Sequence, residues 1–306
     1  MARWFSGGAS GAHCESTGTA AAARAGMSAS YRGHAGGRGR LEDAVARFVR
    51  DVLDVLLPEE EGCVLCGQFH ARGLEEIFCT PICGHCLSRI PFVQPPYCLK
   101  CGRPLRGAAL GRGGETLQSN QVCRDCASGA RFFEVARAVG VYDGALKDFV
   151  HAFKFGGRRE LAEGIGVLMA RVVAREKAMR GSEVLVPVPL HPKRLAERGY
   201  NQADLLARVV GSCLGLPVRA ALVRSVLAGE QNKLGRRERR DNIRGVFLVP
   251  HPLEVAGKRV LLIDDVITTG ATANECSRAL LRAGAAEVRV LASAVAPLER
   301  EWLGRA

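Results

Sequence analysis

Eight cysteines set as four C-x-x-C pairs between residues 63 and 126 constrain this 306-residue chain more than any other feature. Cys63-x-x-Cys66 is separated from Cys83-x-x-Cys86 by sixteen residues, and Cys98-x-x-Cys101 from Cys123-x-x-Cys126 by twenty-one. Gaps of about 15–20 residues read as zinc ribbons, so the first gap lies inside that range and the second just beyond it. Each C-x-x-C turn aims two sulfurs at one ion, and two turns complete a tetrahedron. Gly67, Gly84 and Gly102 suit the tight backbone of such knuckles. The surrounding sequence is Gly, Pro and short polar stretches, too poor in apolar residues for a core of its own, so metal has to do that work. Four thiolates close the zinc shell and leave no position for water or substrate, which makes both sites structural. Disulfides are the competing use of so many cysteines, but this spacing without a secretory leader favours metal thiolates. Of the other four, Cys79 is a spare that could replace a neighbouring ligand, Cys14 lies near the N-terminus, and Cys213 and Cys276 fall on predicted helices as core or surface thiols.

Composition divides the rest of the chain. Residues 1–40 are dominated by Gly, Ala, Ser and Arg with no period in their few apolar positions, which predicts a disordered tail, and Met27 within it is an alternative start. Across residues 41–58, Val45, Phe48, Val49, Val52, Leu53 and Leu56 recur at helical spacing before Pro58. The other face of that amphipathic helix mixes acids with arginines, as suits packing on its own protein rather than on lipid. Residues 59–130 form the double zinc ribbon. From 131 to 306, apolar strands (VARAVGVYD, EVLVPVPL, RVLLIDDV, EVRVLASAVA) alternate with helical stretches at 201–213 and 271–283, the pattern of an α/β fold with a parallel sheet flanked by helices. No run of about 18 uncharged apolar residues occurs and no secretory leader is evident, so the expectation is a cytoplasmic protein without a membrane span. The formal charge of +12 falls to about +8 once each four-cysteine zinc site is counted as −2. The remainder still suits a polyanionic ligand, either a small polyphosphate or nucleic acid.

The segment from Arg259 to Ala273, RVLLIDDVITTGATA, is an apolar run ending in two acids, followed by a Thr/Gly loop and a helix beginning near Thr272. Leu261, Leu262 and Ile263 read as a buried strand. The loop sets consecutive backbone N–H groups and the hydroxyls of Thr268, Thr269 and Thr272 around a phosphate at the N-terminus of the following helix. Gly270 lets the backbone approach the anion closely. Asp264 and Asp265 at the strand end would repel a bare phosphate, but they suit the hydroxyls of a ribose or a magnesium ion shared with it.

The stretch VLLIDDVITTGAT resembles the ribose-5-phosphate signature of type I phosphoribosyltransferases. The resemblance implies that Asp264 and Asp265 contact the ribose hydroxyls of phosphoribosyl diphosphate, while Val266, Ile267, Thr268, Thr269, Gly270, Ala271 and Thr272 cradle its 5-phosphate. Two further stretches match in the same order. Val186-Pro187-Val188-Pro189 resembles the pyrophosphate loop, and QNKLGRRERRDNIRG, from Gln231 to Gly245, resembles the flexible basic loop that closes over the diphosphate. That loop carries Lys233, Arg236, Arg237, Arg239, Arg240 and Arg244 against Glu238 and Asp241, a net charge of +4. With the eight cysteines, HAFKFGGRREL at 151–161 and ERGYNQADLLA at 197–207, residues 41–297 resemble the ComF family. Its members pair a double zinc ribbon with a type I phosphoribosyltransferase-like domain, and several are tied to the import of single-stranded DNA in natural competence.

Around these motifs several residues carry two readings. Lys154 and Arg158 serve a phosphate or flank a helix, and His151 and His191 read as packed or solvent-facing. Arg198, Tyr200, Asn201 and Gln202 line the acceptor side or, for Asn201, cap a helix. An active transferase would expel pyrophosphate through an oxocarbenium-like state, with magnesium and the basic loop neutralising the departing charge. Some family members place an acid where this chain has Thr268, so a base would have to come from Glu238 or Asp241, or the acceptor would need none. The competing class is a non-catalytic binder of phosphoribosyl diphosphate or nucleotide that engages single-stranded DNA or a competence-machinery protein. A general nucleic-acid-binding zinc ribbon leaves the IDDVITTGAT loop without a purpose. Phe69, Phe78, Phe92 and Tyr97 in the zinc module are the aromatic cluster near basic residues that could stack bases, and Phe92 with Tyr97 brackets a Pro-Pro turn that either presents them outward or needs them as core.

Overall fold

The computed structural model describes residues 62–68, 81–105, 122–127, 129, 131–225 and 245–297. The expected tail at 1–40, the helix at 41–58, Cys79, Phe69, Phe78 and the basic segment from Gln231 to Arg244 lie outside the described residues. Two short helices belong to the cysteine module, α1 (Gly84–Arg89) and α2 (Arg124–Ala127). They are followed by β1 (Ala136–Val141), α3 (Gly144–Phe155), α4 (Leu161–Arg175), β2 (Val184–Pro187), α5 (Pro192–Arg198) and α6 (Gln202–Leu214). Then come β3 (Val223–Arg224), β4 (Phe247–Leu248), β5 (Arg259–Ile267), α7 (Ala271–Arg282) and β6 (Glu287–Val295).

Four strands form one parallel sheet in the order β1-β6-β5-β2, with Leu262 opposite Val290 and Leu185 opposite Leu261. Because side chains alternate across a strand, β5 feeds two cores at once. Leu261 and Ile263 join Leu185 and Leu291 beneath α3, α4 and α6, whereas Val260 and Leu262 join Val186 and Val290 beneath α7. The cysteine pairs divide the same way. Cys63, Cys83 and Cys86 belong to the first core, and Cys98, Cys101 and Cys123 to the second. A module too small to bury itself therefore completes both faces of the larger domain.

The chain running from β2 through α5 to α6 returns on one face, while β5 leads into α7 on the other. In open parallel sheets such a reversal leaves a crevice outside the carboxyl ends of the two strands, here β2 and β5. Strands β3 and β4 form a small antiparallel pair against α7, and the Ser225 N–H donates to the Val246 carbonyl at 2.8 Å. Ser225 and Val246, described residues on either side of the basic segment, are thus neighbours. Among the described residues, no helix is long and apolar enough to cross a membrane.

Helix α4 owes its fit against the first cysteine pairs to Gly164, where an added Cβ would lie 2.8 Å from side-chain atoms of both Ile82 and Val64. Gly164→Val is expected to lose about 1–3 kcal/mol in urea unfolding, because overpacking forces the two elements apart. A variant as stable as the parent would show that the module does not close on α4.

Candidate anion site and metal centres

The four sulfurs of Cys63, Cys66, Cys83 and Cys86 lie within 4.8 Å of one another, and so do those of Cys98, Cys101, Cys123 and Cys126. Tetrahedral zinc with Zn–S bonds of about 2.3 Å places its sulfurs about 3.8 Å apart. The observed Cys66–Cys83 and Cys101–Cys123 separations of 3.9 and 3.7 Å fit that ion. Backbone N–H groups also point at the sulfurs: Cys83 donates to Cys63 Sγ at 3.2 Å, and Cys123 to Cys98 Sγ at 3.2 Å. Within the second cluster, hydrogen bonds from Cys101 and Cys126 drive the pKa of the Cys98 thiol far down, and hydrogen bonds with Cys126 and Cys98 plus burial drive that of Cys101 far up. Four thiolates so close cannot coexist without a cation, and the two closed sets fit two structural zinc ions.

Each ribbon is tied to the sheet domain by an arginine. Arg158 donates to the carbonyls of Val64 and Leu65, at 2.8 and 3.2 Å, inside the first knuckle. Its guanidinium therefore serves the ribbon, while its backbone flanks the start of α4, where its carbonyl accepts from the Leu161 N–H at 3.4 Å. Arg103, which follows the knuckle of Cys98 and Cys101, donates to the carbonyl of Thr268 and pairs with Asp125 at 3.4 Å. Phe92 and Tyr97 are engaged in the same docking: Phe92 bridges to Gly140 and packs on the first core, and the Tyr97 hydroxyl donates to Glu176 at 3.0 Å beneath Arg137. The outward-facing stacking pair is accordingly not formed, because the module needs both rings for its contact with the domain.

Strand β5 delivers two acids to its carboxyl end. Asp264 is buried, and Asp265 is half-buried and paired with Lys154 of α3 at 2.9 Å. Burial and the adjacent Asp265 carboxylate push the Asp264 carboxyl up to about 7, against the pull of Lys154. The backbone here is fixed by short turns, with Asp265 N–H donating to Asp264 Oδ1 at 2.8 Å, Val266 N–H to Asp265 Oδ1 at 2.6 Å, and the Ser293 hydroxyl to the Asp265 carbonyl. Ile267 is buried, Thr268 and Thr269 are exposed, and Ala271 and Thr272 open helix α7. Gly270 stands at the N-cap with φ +75°, a left-handed conformation that costs other residues about 1–2 kcal/mol. The outcome is a run of backbone N–H groups at a helix N-terminus, next to two carboxylates of which one is neutralised by Lys154.

On the neighbouring strand, Pro187, Val188 and Pro189 lie beside this end of β5, the Val188 N–H donating to the Ile263 carbonyl at 2.9 Å. Asn201 caps α6 through Ala203 N–H at 3.1 Å and donates to the Val188 carbonyl at 3.0 Å, so it caps a helix and fixes this loop together. His191 caps α5 by accepting from Lys193 N–H at 3.2 Å. Arg198 lies over the exposed ring of Phe155, 4.8 Å from its centroid, and donates to Gln202 at 3.1 Å, while Tyr200 is buried with its hydroxyl on the Phe153 carbonyl. Asp264 and Asp265, Val266 to Thr272, and Pro187 to Pro189 are thus brought to the same carboxyl edge of the sheet. Gln231, Lys233, Arg236, Arg237, Arg240 and Arg244 are outside the described residues. Sequence reasoning missed Arg103 and Arg131, which both grip loop carbonyls, Arg131 donating to Thr269 at 3.4 Å.

A family profile described as a double zinc ribbon domain matches residues 52–127, and one described as a phosphoribosyl transferase domain matches residues 195–301. Over 227 residues the chain is 33% identical to Competence protein F of Haemophilus influenzae, covering 72% of this chain and 93% of that protein. The chain belongs to the ComF family. Other relatives of this ComF-family chain include DNA utilization protein YhgH of Escherichia coli, 30% identical over 213 residues, 68% of this chain and 88% of that one. Competence protein ComFC of Bacillus subtilis is 30% identical over 211 residues, 67% of this chain and 80% of that one. The ComF architecture is therefore a type I phosphoribosyltransferase-like parallel sheet flanked by helices, with a small N-terminal zinc-ribbon module.

Elemental analysis of this ComF-family protein is expected to find two zinc ions per chain, and Cys101→Ser is expected to retain one. A single zinc in the parent would mean that one cluster is not a metal site. The raised Asp264 pKa makes a second prediction. The stability it contributes is complete below about pH 4, where the carboxyl is protonated whether folded or unfolded, and is lost as pH rises through about 7. Asp264→Asn should therefore gain melting temperature over the parent at pH 8 relative to pH 4. Equal differences at the two pH values would place Asp264 in a solvated site.

Proposed function

We propose that the crevice binds phosphoribosyl diphosphate with magnesium and that the chain is a phosphoribosyltransferase working in DNA uptake or utilisation. The observation that carries this reading is the succession along one stretch of backbone: two acids near the end of β5, a threonine-rich loop, a left-handed glycine and a helix N-terminus. In this reading the carboxylates of Asp264 and Asp265 accept the ribose hydroxyls. The N–H groups and hydroxyls from Val266 to Thr272 hold the 5-phosphate. Pro187, Val188 and Pro189 border the diphosphate. Lys154 keeps Asp265 from presenting an uncompensated charge to the incoming anion. Carboxylate oxygens are the hard donors magnesium takes, and when bound the ion supplies charge neutralisation to the departing pyrophosphate. The names of the relatives, two competence proteins and a DNA utilization protein, support the biological setting.

A second reading, a non-catalytic sensor of the same ligand that engages single-stranded DNA or a competence partner, is favoured by one residue. Thr268 occupies the loop position where some members of the family carry an acid, so no base for an incoming acceptor arises from the loop itself. Pyrophosphate release with nucleobases, amines or ammonia separates the two readings, since a sensor binds without turnover.

Phosphoribosyl diphosphate with magnesium is expected to raise the melting temperature, by a stabilisation of about 2.7 kcal/mol at a ligand concentration near 100 dissociation constants. Asp265→Asn should keep the fold and lose most of the shift. No shift in the parent at millimolar ligand would sink the binding site.

A further inference from the structure

The loop at 268–270 is held from behind by two guanidinium groups that belong to the zinc module and to its junction with the sheet. Arg103 is buried, its side chain 5% exposed, and its fork spans two elements. One arm pairs with Asp125, which stands between the ligands Cys123 and Cys126, and the other donates to the Thr268 carbonyl. Its own carbonyl accepts the Cys98 N–H at 2.8 Å, so its backbone is part of the knuckle. Arg131 donates to the next carbonyl, that of Thr269, and lies 3.5 Å from where a Cβ of Gly270 would stand. Nearby, the Phe132 N–H donates to Asn274 Oδ1 at 2.7 Å in the first turn of α7. Ile267 and Ala273, which bracket the loop, pack in one cluster with Cys98, Cys101 and Cys123.

Peptide units are planar and trans, so the carbonyl of one residue and the N–H of the next point in opposite directions. Capturing the carbonyls of Thr268 and Thr269 on one side turns the N–H groups of Thr269 and Gly270 to the other side, where an anion would sit. We infer that Arg103 is a positioning residue for the phosphate loop, and that through Arg103 and Asp125 the second zinc ribbon holds that loop in its anion-binding conformation. The ribbon is then part of the ligand site although none of its atoms touches ligand. Since linkage is reciprocal, whatever loosens the second zinc centre loosens the loop, and an anion in the loop steadies the centre. This rests on the reading of the loop as a phosphate site, but the coupling itself can be tested without ligand.

The experiment uses the full-length zinc-loaded protein and four variants, Arg103→Met, Arg103→Lys, Asp125→Asn and Arg131→Met, each checked for two zinc ions per chain. Hydrogen–deuterium exchange is followed in peptides covering 267–273 and, as a control, 287–295. Arg103→Met should speed exchange at 267–273 by about tenfold with the control peptide unchanged, and should weaken phosphoribosyl diphosphate–magnesium binding by a similar factor in calorimetry. Arg103→Lys, which keeps the charge and one contact, should recover part of both losses. Asp125→Asn, which leaves the contact to Thr268 in place, should loosen the loop as well. If Arg103→Met fails to fold or loses zinc, Asp125→Asn and Arg131→Met decide the matter. Loop exchange equal to that of the parent in a zinc-replete Arg103→Met protein, or in both of those alternates, overturns the coupling. A parent that binds no phosphoribosyl diphosphate sinks the functional reading alone, because loop exchange still decides whether the ribbon holds the loop.

Discussion

Strand β5 is hydrogen-bonded along both edges, to β2 and to β6, and its residues Val260 to Ile263 are fully buried. This double confinement governs the rest of the structure. Pairing with β2 runs to Ile263 and pairing with β6 on to Ile267, so the two acids near the carboxyl end and the loop that follows are placed by the sheet rather than by their own preferences. It also explains the electrostatics. Asp264 is largely withdrawn from water and sits beside the Asp265 carboxylate, which raises its pKa, while Asp265, one residue on, stays within reach of Lys154 from α3. The pair therefore carries less negative charge than its composition implies, which suits the proposed binding of an anion.

The zinc module depends on the same sheet from outside. With few apolar residues of its own, it contributes its buried cysteines to both cores, one ribbon to each face, and the metal takes over the part that a hydrophobic interior plays in a larger domain. Arginines complete the attachment: Arg158 reaches from the domain into the first knuckle, and Arg103 reaches from the second knuckle into the domain. Guanidinium suits this work because its rigid planar fork can serve two acceptors on different elements. Burying such a group is costly unless its donors are matched: Arg103 matches its two terminal nitrogens to Asp125 and the Thr268 carbonyl and leaves Nε without a hydrogen-bond partner, whereas Arg158 stays partly exposed.

Much of this was legible in the sequence. Continuous apolar runs marked the buried strands, and the cysteine spacing marked both ligand sets. Gly270 and the threonines marked the turn into α7, which begins at Ala271, within the helical stretch expected at 271–283. What could not be read were contacts between segments remote in sequence. The bond from Arg103 to Thr268 spans 165 residues, and nothing in either local pattern signals it. The uses of Phe92 and Tyr97 were similarly open, since a ring near basic residues serves a nucleic acid or a domain contact equally well until its neighbours are placed. Arg158 was left open between a phosphate contact and a helix flank for the same reason: it does flank the start of α4, and its guanidinium meets knuckle carbonyls.

The central claim, that residues 266–272 form the seat of a 5-phosphate, is tested most directly by phosphorus NMR of phosphoribosyl diphosphate titrated with protein and magnesium. The 5-phosphate and the diphosphate give separate resonances and report separately on the two ends of the ligand. The account predicts that the 5-phosphate signal shifts and broadens with the parent protein, and that Thr272→Val weakens this response while the diphosphate signals still respond. A 5-phosphate signal unchanged at saturating protein, with only the diphosphate perturbed, would contradict it.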